Sequence, residues 1–426
     1  MEITFPYSQI PPLTLPDSSP ISVLTPTILS NAYPPPAEII TNSLHQPVNS
    51  PEIRELVAGK NNALILVDDF SRHTPTHIIL PILIDELNNA GIQDKNIRIL
   101  VASGTHRPMS SAEKRHKYSA KVVERLTILD HVYNDENKLA QLPTTSHGTE
   151  IYVNKLALET DLLIGIGHVV PHRVAGFSGG GKIVQPGICG AITTGQTHWL
   201  SAQFPGSDII GRADNPVRRE IEEVADIVGL KFIINVVMDA HGRTAYCYSG
   251  EPSAAFHLAA EKSLEIFGVH LENPANIVIA DSYPADSDLW IAAKGIYSGD
   301  LALKKGGVLI FVSPCPEGVS TEYPDIEKIG YHPFSTIQKM VSRGEITNLA
   351  LAAHLVHVGN VISEKASCIL VSPGISPDIA RKIGFIPASN PQQAWDIATD
   401  KIGKDASVVI LKNGSEIMPV INSISS

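Results

Sequence analysis

Cysteine is scarce and poorly spaced for its usual structural roles. Cys189, Cys247, Cys315 and Cys368 are the whole set, and no two form a CxxC pair. That spacing excludes a zinc knuckle and argues against a disulfide framework, leaving incidental thiols in a reducing compartment. Charge is thin as well. Charged residues are 18% of the chain, with 33 basic against 44 acidic and a net charge of -11. Without a basic surplus there is no face to neutralise a run of phosphates, so no nucleic-acid partner is expected. No apolar run is long enough to span a bilayer, so no membrane partner is expected either. The opening MEITFPYSQIPP lacks the basic start and apolar core of a secretion signal, and a cytoplasmic location is the expectation. Internal repeats and low-complexity tracts are also missing.

What is present is an aliphatic rhythm. A chain of 426 residues that is 43% hydrophobic can bury two cores. The first fifty residues are proline-rich and should be irregular or an edge ribbon. Then short aliphatic runs alternate with helix-like segments. NALILV (62–67), NIRILV (96–101), DLLIGIG (161–167) and FIINVVMD (232–239) read as buried strands, the last continuing into a hairpin through TAYCY. IILPILIDELNNAG (78–91) reads as a helix closed by glycine, and DNPVRREIEEVADIVGL (214–230) as one capped by Asp214 or Asn215. GVHLENPAN (268–276) looks like a linker. Beyond it the rhythm restarts with IVIAD, GGVLIFV, ASCILV and ASVVIL. The expected fold class is α/β: two α/β domains with mostly parallel sheets and an active-site cleft between them. Residues 1–270 should form the first domain and 275–405 the second. The strand and tail at 406–426 could return to the first.

Ligands of such sheets sit beyond the carboxyl ends of the strands. Three ends here are rich in chemistry. NALILV runs into DDFSRHTP, NIRILV into ASGTHRP, and DLLIGIG into GHVVPHRVAGFSGGGK. Arg72, His106 and His172 could therefore converge. Each alone reads as a cap or a solvated turn; together they read as a site. GFSGGGK (176–182) fits the glycine-lysine half of a P-loop. However, Ile183 stands where magnesium needs Ser or Thr. GIGHVV (165–170) fails the dinucleotide fingerprint at Val170, and Pro171 would interrupt a helix start. Lys182, emerging from a glycine-lined bend, reads either as an exposed turn lysine or as a desolvated nucleophile suited to covalent attachment. His198, beside Trp199, reads as a packed residue or a metal ligand.

At this point the residues resemble the nickel-dependent lactate racemase family of 2-hydroxy acid racemases and epimerases. The matching pieces are DDFSRHTP (68–75), SGTHRP (103–108), GHVVPHRVAGFSGGGKIVQPGICG (167–190), the TH at 197–198 and DSDLWIAAKG (286–295). The likeness runs nearly end to end. It implies a cofactor-binding first domain carrying a nickel-pincer nucleotide, a pyridinium mononucleotide that grips nickel through two sulfurs and a ring carbon. Lys182 resembles the lysine of covalent attachment and His198 the protein's nickel ligand. His106 and His172 match the acid/base pair. Arg72 and Lys294 match the holders of the substrate carboxylate. Asp69, Ser71, Ser178, Gly179, Gly180 and Gly181 are the residues expected to hold the nucleotide. The implied reaction is racemisation of a small 2-hydroxy acid by hydride transfer, with cofactor-synthesis enzymes as suppliers.

One departure bears on the substrate. Ile291 stands where lactate-racemising members carry glutamine, three residues before Lys294. A larger or more apolar substrate side chain is one consequence. Arg107, Arg173 and His73 offer another, a second carboxylate or sugar hydroxyls. Two other classes of function stay in view: an NAD(P)-dependent 2-hydroxy acid dehydrogenase, for which a proper fingerprint is lacking, and a non-catalytic carrier of the nickel nucleotide, which would need neither His106 nor His172.

Overall fold

The computed structural model describes residues 1–16, 20–29 and 32–421. Among them are two six-stranded sheets. In the first, the spatial order is Thr244–Gly250, Phe232–Met238, Leu162–His168, Ala63–Val67, Ile97–Val101 and Thr127–Asp130. All neighbours are parallel except the hairpin Phe232–Met238/Thr244–Gly250. Every residue of Ala63–Val67 is buried, as a central strand covered on both faces requires. Alternate side chains feed two cores. Ile65, Val67, Ile164 and Ile166 meet the helix Thr76–Asn89 on one face. Leu64, Leu66, Leu163 and Ile233 meet the other, under the helix Pro252–Phe267.

The second sheet runs Ile386–Ala388, Ser367–Val371, Leu303–Val312, Ala275–Asp281, Val408–Leu411 and Ile21–Leu24, all parallel. The two α/β bodies are those expected, but the chain is shared between them differently at both ends. As far as residue 421 the tail does not return to the first sheet, residues 422–426 lying outside the described residues: Val408–Leu411 lies between Ala275–Asp281 and Ile21–Leu24. It is buried along its whole length, which only an inner position of a two-sided sheet allows. The proline-bordered N-terminal segment takes the edge beside it, so residues 21–24 belong to the second sheet. The expected linker is also partly a strand, since Gly268–Leu271 pairs in parallel with Met418–Ile421. Pro36 opens a helix, Pro36–His45, where a missing N–H does no harm.

In the first sheet the chain steps from Ala63–Val67 outward in one direction, then crosses over to Leu162–His168 and steps outward in the other. The reversal leaves a crevice at the carboxyl ends of those two strands. The second body closes over it with the helices Leu289–Ala302 and Leu349–Gly359.

Candidate active site

The crevice holds a cavity of about 180 Å3. Its floor is built by the strand ends picked out in the sequence. Asp69, Ser71 and Arg72 follow Ala63–Val67, His106 follows Ile97–Val101, and His172 follows Leu162–His168. Lys182, His198 and Lys294 complete the wall. Thus the candidate catalytic, carboxylate-holding, attachment and metal-ligating residues all face one space.

The two imidazoles are held in opposite senses. His106 Nδ1 lies 2.7 Å from Asp69 Oδ2, to which it donates. The other oxygen of Asp69 accepts the Ser71 amide at 3.0 Å and its hydroxyl at 2.6 Å. Burial works against the carboxylate, but His106, Ser71 and Arg72 together hold Asp69 below the usual carboxylate range. In the neutral ring, donation from Nδ1 puts the lone pair on His106 Nε2. At His172 the Val174 amide donates to Nδ1 at 3.1 Å. Burial, then the neighbouring Lys182, keeps this ring well below the normal histidine range and therefore neutral. A neutral imidazole that accepts at Nδ1 carries its proton on Nε2. Asp69 and Ser71, expected to hold a nucleotide, are thus turned to each other and to His106.

The glycine bend exists because side chains do not fit. Gly176, at φ +80, would put a Cβ 2.0 Å from the Arg212 carbonyl oxygen. Gly179, at φ +78, would put one 2.6 Å from Val169 and 2.8 Å from Asn235 Oδ1. The amides expected to cradle phosphate are partly taken. Gly180 donates to Asn235 Oδ1 and Gly181 to Glu222 Oε1, each at 3.3 Å. Gly181 lies behind the cavity wall rather than on it, and the Ser178 hydroxyl ties the bend together by donating to the His168 carbonyl at 2.8 Å. Arg218, on the helix Pro216–Val228, is buried beneath. It donates to the carbonyls of Ala175, Phe177 and Gly179 and stacks over Phe256.

Lys182 enters no ion pair among the described residues. Burial, then Arg72 and Arg218, pushes its ammonium well below the usual lysine range. His198, on the helix Ala191–Ser201, donates from Nδ1 to the Thr194 carbonyl at 2.8 Å, and burial pushes it down to about 4. Its Nε2 lone pair is free for a metal. Lys294 is pushed down to about 7 by burial and then by Arg72. Arg72 and Lys294 both face the cavity, with the buried Glu416 beside them in a neighbouring cleft, and two such donors suit a carboxylate ligand.

The sequence reading missed several residues of the wall: Asn235, Tyr297, His354 and His357. A signal existed for Asn235, a polar residue inside the apolar run FIINVVM, and its Nδ2 is buried without a partner. His354 packs against Trp290, ring centroids 4.0 Å apart, and sits between the hydroxyls of Tyr297 and Tyr331 at 3.2 and 3.3 Å. Nothing in the apolar helix LALAAHLVHVG told these histidines from core ones.

Residues 8–209 match the family model described as lactate racemase N-terminal domain, and residues 271–419 match that of the lactate racemase C-terminal domain. A lactate racemase of Thermoanaerobacterium thermosaccharolyticum is 27% identical over 387 residues, 89% of this chain and 90% of the relative. One from Lactiplantibacillus plantarum is 29% identical over 390 residues, 88% and 89% of the two chains. The solved lactate racemase apoprotein of T. thermosaccharolyticum superposes with a TM-score of 0.87 at 27% identity, covering 99% of this chain and 100% of that one. A Thermotoga maritima protein of 24% identity shares the fold at a TM-score of 0.70, over 87% and 96%. With both domain families matched in order and the whole architecture shared, the chain belongs to the lactate racemase family and is an isomerase.

Proposed function

We propose that the protein racemises or epimerises a small 2-hydroxy acid with a nickel-pincer nucleotide attached at Lys182. The observation that carries this reading is the pair of oppositely polarised imidazoles facing one cavity beside a desolvated lysine. The residues present fit the group. Asn235 offers an orphaned buried donor at the wall, Gly179 leaves space no side chain could share, and Lys182 is suited to be a neutral amine. Lys182 would anchor the nucleotide and the free Nε2 of His198 would ligate nickel. The chemistry this group supplies when bound is reversible uptake of the substrate's alpha hydrogen as hydride, which leaves a planar 2-keto acid open on both faces.

The chain supplies binding and proton handling. Arg72 and Lys294 hold the substrate carboxylate, which fixes the alpha carbon between the two rings. For one enantiomer, His106 Nε2 takes the hydroxyl proton, and the imidazolium formed is stabilised by Asp69. On the other face, His172 Nε2–H donates a hydrogen bond to the same oxygen and steadies the charge there. The proton taken up by His106 goes back to that oxygen, so both rings end each turnover as they began. Closure by both sheets' helices excludes water from the keto acid. No described helix is long and apolar enough to cross a membrane, in keeping with a small-molecule enzyme.

The test is production with cofactor-synthesis enzymes, confirmation of nickel, and chiral analysis of single 2-hydroxy acid enantiomers deuterated at the alpha carbon. Racemisation with retained deuterium is expected. Loss of deuterium to water would replace hydride transfer by deprotonation. His106→Ala and His172→Ala should each abolish turnover while nickel stays bound. Bound nickel without turnover of any acid by the unmodified protein would favour a carrier.

A further inference from the structure

The sequence left three basic residues as receivers of a second polar group on the substrate, and their surroundings separate them. Arg107 is held by Glu113 through both terminal nitrogens at 3.0 and 2.7 Å, with its guanidinium over Phe70. His73 is exposed and lines clefts beside the main cavity rather than the cavity itself. Arg173 differs from both. It is 7% exposed and follows His172 directly. Its guanidinium donates only to backbone carbonyls, Ser201 at 3.4 Å and Phe204 at 2.8 Å. It enters no ion pair among the described residues. Asp300, the acid whose charge acts on it, is engaged by Lys365 at 2.7 Å. Burial holds Arg173 down to about 10, so it remains a cation at neutral pH.

Arg173 also stands where space is available. A second cavity of about 730 Å3 lies between the two bodies, and Arg173, Tyr297 and His357 line both it and the active-site cavity. This shared wall is polar: a guanidinium, a phenol and an imidazole held neutral by burial. An alkyl chain has no match there. A planar anion does, because a guanidinium with two donors committed keeps others in the same plane for bidentate acceptance. A buried cation whose one acting acid, Asp300, is committed to Lys365 is also costly, and a ligand carboxylate would relieve that cost.

We propose that Arg173 receives a second carboxylate of the substrate, so that the preferred acid is a dicarboxylic 2-hydroxy acid of the malate type. This rests on the racemase reading above and specifies its substrate class. The experiment compares malate, lactate and 2-hydroxybutyrate as single enantiomers with the nickel-loaded enzyme. Malate should exceed both in kcat/KM by about tenfold or more, the scale set by leaving a buried polar group unpaired. Arg173→Gln should lower the malate-to-lactate ratio by about tenfold, and Arg173→Lys should restore part of it. Should the glutamine variant not fold, succinate and propionate as competitive inhibitors of the unmodified enzyme give the same contrast. Succinate should bind about tenfold tighter. Preference for the monocarboxylic acids, an unchanged ratio in a folded variant, or equal inhibition by the two acids overturns the assignment while leaving the racemase standing. Failure to racemise any acid with nickel bound overturns both.

Discussion

Asp69 and the Val174 amide set the polarity of the two facing rings, one from a side chain and one from the backbone. The consequence is an asymmetry between them that mutation can expose. Asp69→Asn keeps the shape but can donate to His106 Nδ1, which moves the ring proton to Nε2. We expect kcat to fall by about 10²–10⁴, the range seen when an orienting carboxylate is lost, with KM much less affected and the pH profile displaced. An unchanged kcat and pH profile would remove Asp69 from the proton chemistry. At this scale much of the site was legible, because strand ends in a parallel sheet must gather and the polar residues following them could be read directly. Arg218 was not legible: its helix position, next to Arg219 and Glu222, has the pattern of a solvated face. Only the fold reveals that the carbonyls of the glycine bend lie against it.

Between residue and domain, the helix Ala191–Ser201 links the two bodies. It carries His198 and packs against Leu349–Gly359, which carries His354 and His357. The contact closes over Gly195, where a Cβ would lie 3.2 Å from the Leu349 Cβ. Gly195→Leu should therefore separate the helices and destabilise the protein by about 1–3 kcal/mol, as overpacking does. Denaturant unfolding measures this, and retained stability would mean that the contact is looser than drawn. The buried strands were legible because uninterrupted aliphatic runs leave few other readings. The strand Thr127–Asp130 and the hairpin Leu139–Leu142/Ile151–Asn154 were not, being short, half-polar and stabilised by what they pack on. The ends of the chain misled for a related reason: an aliphatic run announces a strand but not the sheet it joins.

Across the whole molecule, many histidines are held neutral by burial. His131 and His198 are pushed down to about 4 and His354 to about 3, while His168, His172 and His357 lie well below the usual range. For a base with a depressed folded-state pKa, the unfolded chain takes up protons first as pH falls below about 6.5. Stability should therefore be full near neutrality and decline from about pH 6.5 downward. Each such group contributes up to about 1.4 kcal/mol per pH unit until its folded-state value is reached. Thermal or urea unfolding from pH 7.5 to 4.5 checks the sign, and a flat profile would mean that these rings are solvated.

The pairing of Ile21–Leu24 with Val408–Leu411 also has a consequence for biosynthesis. On the ribosome, the sheet from Ala63 to Gly250 has all its strands early and can fold as a unit. Residues 21–24 are made sooner still, yet their neighbour, Val408–Leu411, emerges only after both halves have been made. The second sheet, and with it the body that roofs the crevice, can be completed only once that strand has emerged. During that interval the half that carries Lys182 stands open, and a bulky ligand of the crevice would have its widest access to that lysine before the mature cleft exists.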